Sequence, residues 1–176
     1  MTLRIELTET MFGEKERQLL TMGAFRVSTF RYDNGIAALR VANARGVLII
    51  LPFKGHQIWR CRFDGRELAM KSMFDEPVNT RSYLETYGAF FIHCGLTGMG
   101  APGPQDRHPL HGELPNAPFQ RAYLDCDETA KTITTGLMSS PVNTARTAAN
   151  TKTPMKSGCG CNPERPSAQG AKRSFF

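Results

Sequence analysis

The chain is 176 residues long, 40% hydrophobic and 22% charged, with a formal net charge of +6. That length suits one ordinary domain or a small domain with a tail, and the apolar fraction excludes a wholly disordered chain. No apolar run approaches the ~18 residues of a membrane-spanning helix, and Met1-Thr2-Leu3-Arg4 opens into polar sequence without a secretory h-region, so a cytoplasmic protein with no membrane partner is expected.

In chain order, residues 25–32 are β-branched and aromatic and predict a strand, with Val27 and Thr29 on one face. Asp33-Asn34-Gly35 follows as a hairpin turn, since Asn and Gly tolerate positive φ. Ala37, Leu39 and Val41 alternate through a second strand. After Asn43-Ala44-Arg45-Gly46, the unbroken apolar run 47–51 fits a strand buried on both faces. Residues 57–63 alternate again, with Trp59, Cys61 and Phe63 expected inward and Arg60 and Arg62 outward. Phe63-Asp64-Gly65-Arg66 is another tight turn. A short helix over 81–87, capped by Asn79 or Thr80 and stopped by Gly88, precedes an apolar strand over 89–94. A Gly/Pro-rich loop follows, and 119–126 reads as the last strand. Strands at roughly ten-residue spacing predict a mainly β fold, an antiparallel β-sandwich.

The charge divides sharply along this chain. Residues 1–128 hold 15 basic and 15 acidic side chains, so the whole excess lies in 129–176, which hold seven basic residues and Glu164. That stretch has eight Thr, five Ser, six Ala and four Pro, with Phe175 and Phe176 as its aromatics. It predicts a basic, low-complexity, disordered tail beginning at 129. Scattered basic residues with few interleaved aromatics make a poor nucleic-acid surface, and no nucleic-acid partner is expected. Among the five cysteines, Cys61, Cys94 and Cys126 lie in apolar surroundings and read as reduced thiols. Cys159-Gly160-Cys161 has no matching second pair, so neither a metal nor a cofactor is expected.

Chemistry concentrates between His93 and Asn116, where three of the four histidines fall in or beside a long loop. His titrates near neutral pH, which suits proton transfer. His111 is the strongest candidate, because Gly112 permits close backbone approach to a ligand beside the ring. His93 ends a buried strand, where it either reaches a site or forms a core hydrogen bond. Glu113 is an acid/base, a polar sugar contact or a surface carboxylate, and Asn116 either contacts a ligand or stabilises a turn. His108 reads as exposed loop. His56, after Lys54-Gly55, reads as solvated.

Four segments carry a family resemblance: Leu51-Pro52-Phe53-Lys54-Gly55-His56-Gln57-Ile58-Trp59, Met70-Lys71-Ser72-Met73-Phe74-Asp75-Glu76-Pro77, Tyr87-Gly88-Ala89-Phe90-Phe91-Ile92-His93-Cys94-Gly95, and His108-Pro109-Leu110-His111-Gly112-Glu113-Leu114-Pro115-Asn116-Ala117-Pro118. Together they resemble the aldose 1-epimerase-like family of the galactose mutarotase-like superfamily, over residues 1–128. The resemblance implies the N-terminal part of a large antiparallel supersandwich that binds a hexose or related sugar across one sheet. It also implies anomer interconversion by acid/base ring opening, with His111 as a catalytic residue and His93, Glu113 and Asn116 as substrate contacts. The superfamily's glutamate base and second histidine come from a C-terminal half that nothing after 128 resembles. A carbohydrate-binding module without catalysis, or a nonfunctional fragment, is therefore the alternative expectation. The tail also admits an out-of-frame reading. Met138-Ser139-Ser140-Pro141-Val142-Asn143-Thr144 can be encoded so that a shift of two bases gives Val-Ile-Thr-Gly-Glu-Tyr, a strand-like run.

Overall fold

The computed structural model describes residues 2–137. They form an antiparallel, mainly β architecture of two sheets. One sheet holds β2 (Arg17–Met22), β3 (Phe25–Arg31), β4 (Ala37–Ala42), β5 (Gly46–Leu51), β6 (Gln57–Phe63) and β7 (Arg66–Glu67), paired in sequence order. The other holds β1 (Thr2–Leu7), β8 (Ala122–Asp127) and β9 (Thr132–Leu137), with β8 in the centre.

The turns that link the larger sheet follow from residues that tolerate positive φ. Gly35, at φ +86°, closes the β3–β4 hairpin, with its N–H donating to the Tyr32 carbonyl. Asp64 and Gly65, at +48° and +76°, turn β6 into β7. The Asn43 carboxamide oxygen accepts from the Arg45 and Gly46 N–H groups and fixes the β4–β5 turn.

Alternation along β4 and β5 sends side chains to both faces of this sheet. Val27, Leu39, Val41, Leu48, Ile50, Ile58 and Cys61 face the smaller sheet and pack on Leu7, Ala122, Leu124, Cys126 and Ile133. The opposite face carries Ala38, Ile49, Leu51 and Trp59, packed with Ile36 and Ala89. The run 47–51 is thus buried on both sides, as its unbroken apolar character predicts. In β6 the expected alternation fails at one point. Ile49 pairs with Arg60 but Ile50 pairs with Ile58, so Trp59 is an inserted residue. This β-bulge puts the Trp59 indole on the face opposite Cys61. Arg60 lies 4.7 Å over the Trp59 ring.

Several expectations need correction. The ordered fold continues past 128: Asp127 accepts hydrogen bonds from the N–H groups of Thr129 and Ala130, Lys131 takes φ +50°, and β9 returns along β8. Thr is a good strand former, and Ile133 and Thr135 are buried, so the Thr-rich composition marks a strand here rather than a tail. The expected disorder and the out-of-frame reading from 138 onwards lie outside the described residues. The 81–87 helix is a single 3₁₀ turn over Tyr83–Thr86, whose preceding Ser82 makes no side-chain cap. The 89–94 strand reduces to one bridge between Ile58 and Phe91. No helix among the described residues is long and apolar enough to cross a membrane.

Candidate functional site

Beyond the bulged face of the larger sheet, residues 52–56 and 114–118 form two interlocked turns. Gly55, at φ +58°, donates its N–H to the Ala117 carbonyl, and a Cβ there would run into the Pro115 carbonyl. Gln57 is wholly buried; its amide nitrogen donates to the Pro115 carbonyl at 2.5 Å and to the Asn116 side-chain oxygen at 2.8 Å. Asn116 in turn donates to the Ser82 carbonyl at 3.1 Å. Lys54, also buried, donates to the Thr80 carbonyl at 2.7 Å, and burial lowers its pKa to about 8. A buried polar group must find such partners or cost the fold its desolvation. The network therefore fixes the loop 109–118 against the 3₁₀ turn.

Between these two segments lies a groove of about 460 Å³, walled by Tyr83, Leu84 and Leu110 with Arg81, Glu113 and Asn116 as polar members. Glu113 faces it but is already engaged, accepting from the Leu96 N–H at 2.8 Å and from the Thr97 N–H and hydroxyl. Its partial burial pushes the carboxyl pKa up, yet the Thr97 and backbone hydrogen bonds outweigh this and hold it below the ordinary value.

His111 sits immediately behind the groove. Its φ is +60°, and its backbone is pinned on both sides: its N–H donates to Gly100 at 2.8 Å, and its carbonyl accepts from Gly95 at 2.7 Å. A bulky residue in this conformation is uncommon, and the surrounding loop over-determines it. The imidazole packs against Tyr83 at a 32° tilt with ring centroids 4.4 Å apart, and its Nδ1 is 3.6 Å from Cys94 Sγ. Gly112, at φ +82°, does allow a close approach, but the group that approaches is the Gly95–Gly98 backbone rather than a ligand.

The remaining histidines divide. His93 stands apart from the groove in a stack with His56, 6.0 Å away and nearly parallel, and with Phe91 edge-on at 4.8 Å. Burial lowers the pKa of His93. His56 is buried rather than solvated, and burial, with the neighbouring His93, lowers its pKa to about 4. His108 is largely covered and packs over Gly98. The structure thus sets two of the sequence candidates, Glu113 and Asn116, on the groove and His111 behind it, while His93 stacks with His56 and Phe91. Sequence reasoning passed over Tyr83 and Arg81, hidden in an expected helix, and Cys94, read as a core thiol. Among the described residues, no group of three or more His, Cys, Asp or Glu side chains is placed to hold a metal ion.

A family model described as a domain of unknown function (DUF4432) matches residues 33–152, more than half of the chain. The match begins in the β3–β4 turn and runs beyond 128, where the domain was expected to end. No curated protein and no solved structure matches the chain.

Proposed function

From the premise that this chain belongs to the DUF4432 family, we propose that it is an aldose 1-epimerase-like protein whose groove binds a hexose or related sugar. The observation that carries this reading is a groove lined by Tyr83, Glu113 and Asn116, with His111 packed against the Tyr83 ring behind it. Tyr83, Leu84 and Leu110 suit the C–H faces of a pyranose, while Arg81, Glu113 and Asn116 suit its hydroxyls. The sandwich and the resemblance of residues 51–59, 70–77, 87–95 and 108–118 to mutarotase-like sequences support the same assignment.

Anomer interconversion requires a base to take the anomeric hydroxyl proton, here solvent water because Glu113 is committed to Leu96 and Thr97, and a group that polarises or protonates the ring oxygen. The C1–O5 bond then breaks to an open-chain aldehyde, which recloses on either face. By the resemblance, the role of His111 is to polarise or protonate the ring oxygen. Polarimetry on a freshly dissolved α-hexose tests this: the chain accelerates mutarotation, and His111→Ala lowers that rate by about 10²-fold or more, the usual contribution of a general acid. No acceleration with any common hexose overturns the catalytic reading.

One observation favours a second reading, a carbohydrate-binding module without turnover. The Glu113 carboxylate in the groove is committed to Leu96 and Thr97, and both ends of the Asn116 amide are taken by Gln57 and Ser82. Under that reading a hexose raises the melting temperature without speeding mutarotation. The Trp59 indole is fully buried, so thermal stabilisation is a more direct report than tryptophan quenching.

A further inference from the structure

A neutral imidazole has one N–H and one bare nitrogen, and only the N–H nitrogen can donate a hydrogen bond that polarises a sugar ring oxygen. Which nitrogen of His111 carries the proton is set by what its other nitrogen meets. Nδ1 lies 3.6 Å from Cys94 Sγ, within range of a hydrogen bond to sulfur. Among the described residues, no protein group engages Nε2. The ring is packed against Tyr83, 4.4 Å away at a 32° tilt, on a backbone hydrogen-bonded to Gly95 and Gly100.

The thiol is equally constrained. Cys94 is half-buried, and the residue after it, Gly95, donates its N–H to the His111 carbonyl, so the two side chains are tied at backbone level as well. A half-buried S–H seeks an acceptor, and His111 Nδ1 is within reach of it. We infer that Cys94 is a positioning residue for His111: its S–H donates to Nδ1, which fixes the tautomer with the proton on Nε2. The pair orients a hydrogen-bond donor, the counterpart of a carboxylate or carbonyl that fixes a histidine tautomer from behind.

The inference rests on the proposed role of His111 for its functional meaning, but its physical content can be measured without any sugar. Long-range ¹H–¹⁵N spectra of the full chain at neutral pH, with His111 assigned by comparison with His111→Ala, are expected to show a bare Nδ1 and a protonated Nε2. A protonated Nδ1 overturns the proposal, and so does an unchanged His111 tautomer in Cys94→Ala. Cys94→Ser supplies a hydroxyl donor in place of the thiol and is expected to keep the wild-type tautomer. In mutarotation assays Cys94→Ala loses about tenfold or more in rate and Cys94→Ser recovers most of it, as befits loss and return of an orienting hydrogen bond. Equal loss in both variants marks a merely structural thiol and overturns the assignment. A chain that shows the expected tautomer but never accelerates mutarotation leaves the Cys94–His111 pairing intact and removes the catalytic reading alone.

Discussion

The two faces of the six-stranded sheet are covered in opposite ways. One meets a second sheet, and the contact is apolar, with Leu39, Leu48 and Ile50 clustered with Leu7, Leu124 and Ile133. The other is covered by loops and stabilised by buried polar groups, with Lys54, His56, Gln57 and Asn116 all nearly inaccessible to water. A sheet can dry its neighbour because its backbone groups are already paired, whereas a loop brings unpaired carbonyls that must be answered one by one. Gln57 answers Pro115, Lys54 answers Thr80 and Asn116 answers Ser82. The dry face supplies stability that tolerates no voids, and the polar face supplies a precisely shaped groove whose residues cannot be exchanged for apolar ones.

The sharpest way to break that contrast is to damage the dry face. Leu124→Ala removes a fully buried side chain from the centre of the smaller sheet; it is expected to cost about 2–5 kcal/mol in urea unfolding. A loss under 1 kcal/mol would mean that the small sheet does not seal this core. Next, Gln57→Ala removes the amide that answers Pro115 and Asn116. Leaving those buried acceptors unpaired costs about 1–3 kcal/mol. It also loosens the groove, so hydrogen exchange of the Gly55 and Ala117 amides accelerates while that of Leu39 changes only with global stability.

The third prediction concerns pH. His56 is held neutral, its pKa lowered to about 4 from 6.5. The unfolded chain then binds more protons than the folded one between those values, so stability is fully present above about 6.5 and declines as pH falls towards 4. His93, lowered in the same direction, adds to that slope. Melting temperatures measured from pH 7 to pH 4 should fall in the wild type and fall less in His56→Asn, a residue that also accepts the local φ of +47°. An identical slope in both would show that groups other than His56 govern the acid limb. The smallest effect is expected on the outer surface. Arg4 forms a two-point ion pair with Asp125 at 2.6 Å, but the arginine is solvent-exposed. Asp125→Asn should change the melting temperature less than any variant above, and the change should fade at high salt.

Much of the larger sheet was legible because its hairpins are local. Asn34-Gly35 and Asp64-Gly65 announce their turns, and the apolar run 47–51 announces a doubly buried strand. β1 and β2 were not seen. In β1, Leu3, Ile5 and Leu7 alternate with Arg4 and Glu6, a strand pattern that was passed over and whose partner lies beyond residue 120, and in β2 a register shift between Gln18 and Leu20 breaks the period of two. The bulge at Trp59 hid the face of its indole for the same reason, since periodicity cannot register an inserted residue. In the site, Glu113 and Asn116 stood out by residue type, but their commitment to Thr97 and Gln57 is a tertiary fact. The burial of His56 and Lys54 was likewise invisible, because turn residues read as solvated until another loop closes over them.

The pairing of β1 with β8 also has a kinetic consequence. Thr2 meets Asp127 across 125 positions of sequence, while the hairpins of the larger sheet join neighbours only a few residues apart. During synthesis the first strand must wait, unpaired, until nearly the whole described fold has emerged. Until then the face built around Leu39 and Leu48 stays open to water and to other chains. Non-local closure of this kind is slow, and it leaves a window for aggregation. The small sheet is therefore expected to form last, its closure setting the rate at which the nascent chain escapes that window.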